Sequence, residues 1–98
     1  MATSTKEATI VNKYGLHARP AMQFVELANK YSSKIDVSNG SLTVDAKSIM
    51  SVMRLAATQG TTLKIVADGH DAPQAVDAIA QLIQAGFGEM EEDSGAQI

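Results

Sequence analysis

In the run Gly15-Leu16-His17-Ala18-Arg19-Pro20-Ala21, an imidazole, a guanidinium and a proline stand close together where a helical pattern begins. Proline is tolerated in a first helical turn, whose N–H groups have no intrahelical acceptor. His17 is therefore expected at or beside the N-cap of that helix. The N–H groups of Ala18 and Arg19 are then available to an anion, and the helix dipole favours negative charge at that end. Arg19 adds a permanently charged fork that matches phosphate geometry. An unprotonated imidazole is a nucleophile, and the helix field works against a positive charge on it. The arrangement suits a phosphoryl-accepting site, with His17 as acceptor and Arg19 as phosphate stabiliser. A plainer role for His17 is that of a helix cap in a loop.

Lys47-Ser48-Ile49-Met50 is the second place where chemistry can sit. Ser48 opens a short helix, where its hydroxyl caps the first turn. A phosphate on that hydroxyl would be favoured by the helix terminus and would add charge beside the neighbouring face. Hydrophobic residues in this helix, Ile49 to Ala57, span roughly 220° of the wheel, too wide for one buried stripe. With Val52, Leu55 and Ala56 on the sheet, Ile49, Met50 and Met53 are left partly exposed, and Met22 lies at the rim of the preceding helix. Flexible methionines suit a surface that meets several partners. A helix sunk deeper than usual is the alternative. His70, between Asp68 and Asp71, reads as a solvated turn histidine rather than a metal ligand. Cysteine is absent, and the two histidines show no ligand spacing, so no metal is expected.

The elements that position these residues follow from periodicity and turn chemistry. Residues 6–13 are rich in β-branched side chains and read as a strand. Tyr14 to His17 is a break. From Ala18 a helix places Ala18, Ala21, Phe24, Val25, Leu27, Ala28 and Tyr31 on one arc. Residues 34–38 and 41–46 alternate on either side of Asn39-Gly40, the favoured two-residue hairpin turn. Ser48 opens the short helix to about Ala57, and Leu63, Ile65 and Ala67 mark a further strand. Asp71, Pro73 and Gln74 carry a capping signature for a last helix. That helix buries Ala75, Val76, Ala78, Ile79, Leu82 and Ile83, and Gly86-Phe87-Gly88 stops it. Residues 89–98, with Glu89, Glu91, Glu92 and Asp93, read as an acidic, solubilising, frayed tail. The order β-α-β-β-α-β-α gives an α+β fold, a two-layer sandwich with helices on one face. Thr9, Thr43 and Lys64 suit the solvated face.

Composition limits the function classes. The chain has 98 residues, 8 basic and 11 acidic side chains and a net charge of −3, enough for one domain, residues 1–88, followed by the tail. Acidity, two arginines and 4% aromatics argue against nucleic acid as partner. Met1 to Lys13 has no apolar core of a signal peptide, and no run is long enough to span a membrane. A cytoplasmic protein is expected.

The first motif resembles the active-site signature of HPr, the histidine-containing phosphocarrier family of the bacterial phosphoenolpyruvate-dependent phosphotransferase system. Lys47-Ser48-Ile49-Met50, with Val52-Met53 following, is similar to the regulatory-serine segment of that family. The likeness runs over about residues 6–88. Asn12-Lys13-x-Gly15-x-His17 is a spacing shared with the nitrogen-related branch. The resemblance implies an open-faced, four-stranded antiparallel sheet in the order 1-4-2-3, covered by three helices. It implies phosphorylation of His17 on Nδ1 by phospho-enzyme I and transfer to a sugar-specific or regulatory IIA-type acceptor. It also implies that Arg19 holds the phosphate, that Met22, Ile49, Met50 and Met53 meet the partners, and that an HPr kinase/phosphorylase can modify Ser48. Such a protein is a monomeric substrate of enzymes rather than an enzyme, and it needs no cofactor. A regulatory module of the same fold, acting through Ser48 and the Met50/Met53 surface, is the alternative. A metal-binding domain using His17 and His70 is a third reading. Tyr14 departs from the pattern where many members carry a small polar residue, as do Glu26 and Asn29 at first-helix positions that are basic in some members. Ser51 and Ala56 replace glycines seen in some relatives.

Overall fold

A computed structural model describes residues 2–89. Four strands, β1 (Thr3–Thr9), β2 (Lys34–Ser38), β3 (Thr43–Asp45) and β4 (Thr62–Asp68), form one antiparallel sheet in the order β1-β4-β2-β3. Three helices, α1 (Ala18–Ala28), α2 (Ile49–Met53) and α3 (Ala72–Gln84), accompany it, and a 3₁₀ turn, Gly86–Gly88, comes after α3. Alternation sorts each strand. Ile35, Val37, Val44, Leu63, Ile65 and Ala67 are buried with Phe24, Val52, Ile79 and Ile83 of the helices. On the other face Thr9, Thr43 and Lys64 are exposed, as their polarity requires. This is the two-layer α+β sandwich.

Several boundaries differ from those expected, each for a tertiary reason. β1 spans Thr3–Thr9 rather than residues 6–13, because β4 offers seven partners, from Thr3↔Asp68 to Thr9↔Thr62. Beyond them Ile10 exchanges backbone bonds with Gly60 and Thr61 instead of continuing the ladder. The β2–β3 connection is four residues long, closing at Ser38↔Thr43. Asn39 is not at positive φ there, and only Gly40 is (φ 100°). Asn39 Oδ1 accepts the N–H groups of Ser41 and Leu42, both at 2.9 Å, so its side chain makes the turn. α2 ends at Met53. The next bonds run i→i−3, from Arg54, Leu55 and Ala56, and Ala56 turns left-handed (φ 47°). That turn exposes Ala56, which the wheel placed on the sheet, and buries Leu55 and Ala57. In α1, Ala18 is exposed at the first turn. In α3, Ala78 and Leu82 are only half-buried while Ala80 is buried.

Asp71 is the N-cap of α3, but its side chain makes no bond to its own helix. The carboxylate instead accepts the N–H of Ser32 (2.8 Å), the N–H of Ser33 (3.0 Å) and the Ser33 hydroxyl. It ties the loop before β2 to the start of α3. The Ser33 hydroxyl, then the backbone of Ser32, hold this carboxyl at about 2, below its ordinary 3.8. A depressed native value means stability present above the unfolded value and lost as pH falls through the native one. The chain is expected to lose stability between pH 3.8 and about 2, and Asp71→Asn to flatten that segment of the curve. Urea unfolding across this pH range checks it. Equal slopes in variant and parent would refute the assignment.

Candidate functional site

The loop from Asn12 to His17 is built by backbone contacts. Gly15 N–H returns to Asn12 C=O (3.2 Å), and Leu16 N–H bonds Ala57 C=O (2.9 Å). Gly15 takes φ 65° against this neighbouring segment, a conformation glycine adopts without strain. Leu16 is buried, so the next residue in the extended chain points outward. That residue is His17, the N-cap of α1, with φ −75° and ψ −172°. Its carbonyl accepts Ala21 N–H (3.0 Å), but its ring makes no capping bond. The side chain is 42% exposed.

Two further residues hold that ring. Both carboxylate oxygens of Glu89 lie near His17 Nε2, at 2.9 and 3.1 Å. Tyr14, itself exposed, meets the imidazole edge-on at a centroid distance of 6.2 Å. Asn12 supports the arrangement from below. It is fully buried, and its Nδ2 donates to Gly15 C=O (2.8 Å) and to Glu89 Oε1 (3.0 Å).

Neither Asn12 nor Glu89 was assigned a part in the site from sequence, Asn12 figuring only in the spacing shared with the nitrogen-related branch. Asn12 fell inside a strand pattern, and Glu89 stood first in the acidic tail. Glu89 is only 4% exposed and belongs to the folded part. The rest of that tail, with Glu91, Glu92 and Asp93, lies outside the described residues. One local signal did exist. Phe87 of Gly86-Phe87-Gly88 is a large apolar residue that has to be buried, and burying it constrains where residue 89 can lie.

Arg19 and Ala18 stand on the exposed first turn of α1, and Pro20 is buried beside them. Ser48 caps α2 as expected, accepting Ser51 N–H at 3.3 Å. Its segment is fastened to the other end of α1. Asn29 Nδ2 donates to Lys47 C=O (3.1 Å), and Lys47 Nζ donates to Tyr31 C=O (2.6 Å). The Ser48 segment therefore lies by the C-terminal end of α1, and His17 stands at the N-terminal end of the same helix, whose 11 residues span about 16 Å. Asn29 has a positive structural role here, linking α1 to the Ser48 segment.

α2 runs back from that end toward the His17 loop. Met22, Ile49, Met50 and Met53 are all exposed, Met50 at 76%. Met22, Val25, Glu26 and Ile49 line a shallow groove in the seam between the helices. His70 is exposed beside Asp71. Among the described residues no group of three or more His, Cys, Asp or Glu is placed to hold a metal. No helix among them is long and apolar enough to cross a membrane.

Comparison with known proteins bears on this geometry directly. The family model described as "PTS HPr component phosphorylation site" matches residues 4–85. The chain belongs to the HPr family. It is 45% identical to the phosphocarrier protein HPr of Cupriavidus necator over 86 residues, covering 88% of this chain and 97% of that one. It is 47% identical to the HPr of Haemophilus influenzae over 79 residues, covering 81% and 93%. Among solved structures, an HPr from Thermoanaerobacter tengcongensis superposes with a TM-score of 0.81 at 46% identity, covering 91% of this chain and 98% of that one. Membership of the HPr family makes this chain a phosphocarrier component of the phosphotransferase system, and it implies interaction with the enzymes of that system.

Proposed function

We propose that His17 accepts a phosphoryl group on Nδ1 from phospho-enzyme I and passes it to a sugar-specific or regulatory IIA-type acceptor. The observation that carries this reading is the half-exposed imidazole at the start of α1, which leaves its own helix uncapped. An anion bonded to that ring meets a helix N-terminus and the neighbouring Arg19, the two features that favour a phosphate there. The chain supplies a positioned nucleophile and a cradle, and the partner enzymes supply catalysis. It therefore acts as a cytoplasmic, monomeric substrate of enzymes, with no cofactor of its own. Met22, Ile49, Met50 and Met53 form the docking surface, which suits modest, transient interfaces.

Incubation with enzyme I and phosphoenolpyruvate, followed by intact mass, tests the carrier reading. One acid-labile phosphate is expected. No uptake with enzyme I from several sources would overturn it.

A second layer of function rests on Ser48 and its exposed apolar neighbours. Phosphorylation there, by an HPr kinase/phosphorylase, would place about two negative charges beside Ile49 and Met50. Such charge next to an apolar docking strip opposes association. Ser48→Asp is accordingly expected to weaken enzyme I binding about tenfold, read by calorimetric titration. Unchanged affinity would remove Ser48 from the regulation of that interface.

A further inference from the structure

We infer that Glu89 is a positioning residue for phosphoryl transfer at His17, acting on the ring nitrogen opposite the one that bonds phosphorus. The inference rests on the reading that His17 is phosphorylated at Nδ1. Three features of the structure support it.

The first is how Glu89 is delivered. It comes directly after the 3₁₀ turn at the end of α3, where Phe87 is buried at a left-handed φ of 56° between Gly86 and Gly88. The glycines also take positive φ, 69° and 74°. This anchored turn brings the carboxylate back to a residue 72 positions earlier.

The second is Asn12. Both of its Nδ2 bonds go to acceptors, the Gly15 carbonyl and Glu89 Oε1. The amide cannot be reversed without breaking both. Its Oδ1 is buried and finds no partner among the described residues. Leaving such an atom unsatisfied is costly. The amide is thus oriented for the sake of its donor side, which fastens the carboxylate against the imidazole.

The third is chemical. A carboxylate accepts only, so a hydrogen bond to Glu89 requires a proton on Nε2. In the neutral ring the lone pair then lies on Nδ1. As Nδ1 attacks, the N–P bond forms, the bond from phosphorus to the donor's leaving atom breaks, and its electron pair leaves with the donor. The ring, still carrying Nε2–H, becomes cationic, and Glu89 faces that charge. On transfer to the acceptor the P–Nδ1 pair returns to Nδ1, and Nε2 keeps its proton throughout. A carboxylate that orients an imidazole and stabilises its cation is the part played by the aspartate of hydrolase triads.

The experiment uses the full chain as wild type, Glu89→Gln and Glu89→Ala. Rapid-quench phosphorylation by enzyme I and phosphoenolpyruvate gives the rate. ¹⁵N shifts of the His17 ring give the tautomer before phosphorylation. Both variants are expected to accept phosphate about 10–100-fold more slowly, by analogy with the loss seen when the partner that orients a metal-binding histidine is removed. Glu89→Ala should also lower the Nε2–H fraction. Circular dichroism and thermal unfolding matching the wild type would separate this from a loss of fold. Wild-type rates and ring shifts in both variants would overturn the inference while leaving the carrier reading intact. A wild type that takes up no phosphate would overturn the carrier reading instead, a distinct result.

Discussion

The His17→Ala variant is expected to fold like its parent and to take up no acid-labile phosphate from phospho-enzyme I. Loss should be complete rather than partial. A methyl group offers no lone pair, and the second histidine, His70, lies at the start of α3, far along the sequence from the Arg19 turn. The structural cost is small. The backbone of residue 17 still accepts Ala21 N–H, and no capping bond is lost, because the ring makes none. What disappears is the contact with Tyr14 and the bond to Glu89. Glu89 keeps the Asn12 amide. Depriving a buried acceptor of one partner costs about 1–3 kcal/mol, within the margin of a small domain. Intact mass, with and without brief acid treatment, reads the result. An acid-labile phosphate that persists in this variant would place the acceptor elsewhere.

Gly15→Ala is expected to produce a large loss of stability from a minimal change. At φ 65° an alanine adopts the left-handed conformation at a cost of about 1–2 kcal/mol. The added methyl also has nowhere to go. A Cβ at this position would fall on the carbonyl oxygen of Ala57 and lie 2.9 Å from Thr58 Cα, both backbone atoms that no rotamer change can move. Forcing atoms into a packed region costs about 1–3 kcal/mol more. The sum is about 2–5 kcal/mol, offset by about 0.4–1 kcal/mol because glycine is the looser residue when unfolded. The damage also reaches the site. Relief of the overlap requires the Asn12–His17 loop to lift from residue 57, which breaks the Leu16 N–H bond to Ala57 C=O. His17 then loses the fixed extended geometry that turns its ring outward. Denaturant unfolding measures the first effect and the rate of phosphoryl uptake the second. Gly40→Ala, with no atom within 4 Å of its added Cβ, is the control for strain without overlap. Equal losses at both positions would show that the contact with residue 57 is unimportant.

The two variants mark different kinds of information. The placement of His17, Arg19 and Ser48 at helix starts was legible because such starts are local events. A proline in the first turn and a serine at a cap depend on only a few neighbouring residues. The same holds for the interior strands, whose alternation at Ile35, Val37, Leu63, Ile65 and Ala67 reports one buried face. The exposure of Ile49, Met50 and Met53 came from a hydrophobic arc too wide to bury whole.

Asp71 and Asn39 show where local reasoning stops. Each has the residue type of its expected role, a cap and a turn former. For Asp71, however, the acceptors met donors on a distant loop, Ser32 and Ser33, brought alongside by the sheet. Asn39 completes its turn with Oδ1 while its Nδ2 reaches Leu55 C=O. Short polar side chains bond whichever donors or acceptors the tertiary fold presents, and sequence distance does not rank those choices.

Local pattern was enough to establish the element order, most of the buried faces and the placement of His17 at a helix start, while the motifs around His17 and Ser48 carried the resemblance to the family. Where β1 begins was left to the assembled sheet, since only the length of β4 sets the pairing. Assembly also brought Glu89 onto His17 with Asn12 beneath it. Periodicity and turn chemistry act over a few residues, whereas a carboxylate that meets an imidazole 72 positions away is chosen by the packing of α3 and the burial of Phe87.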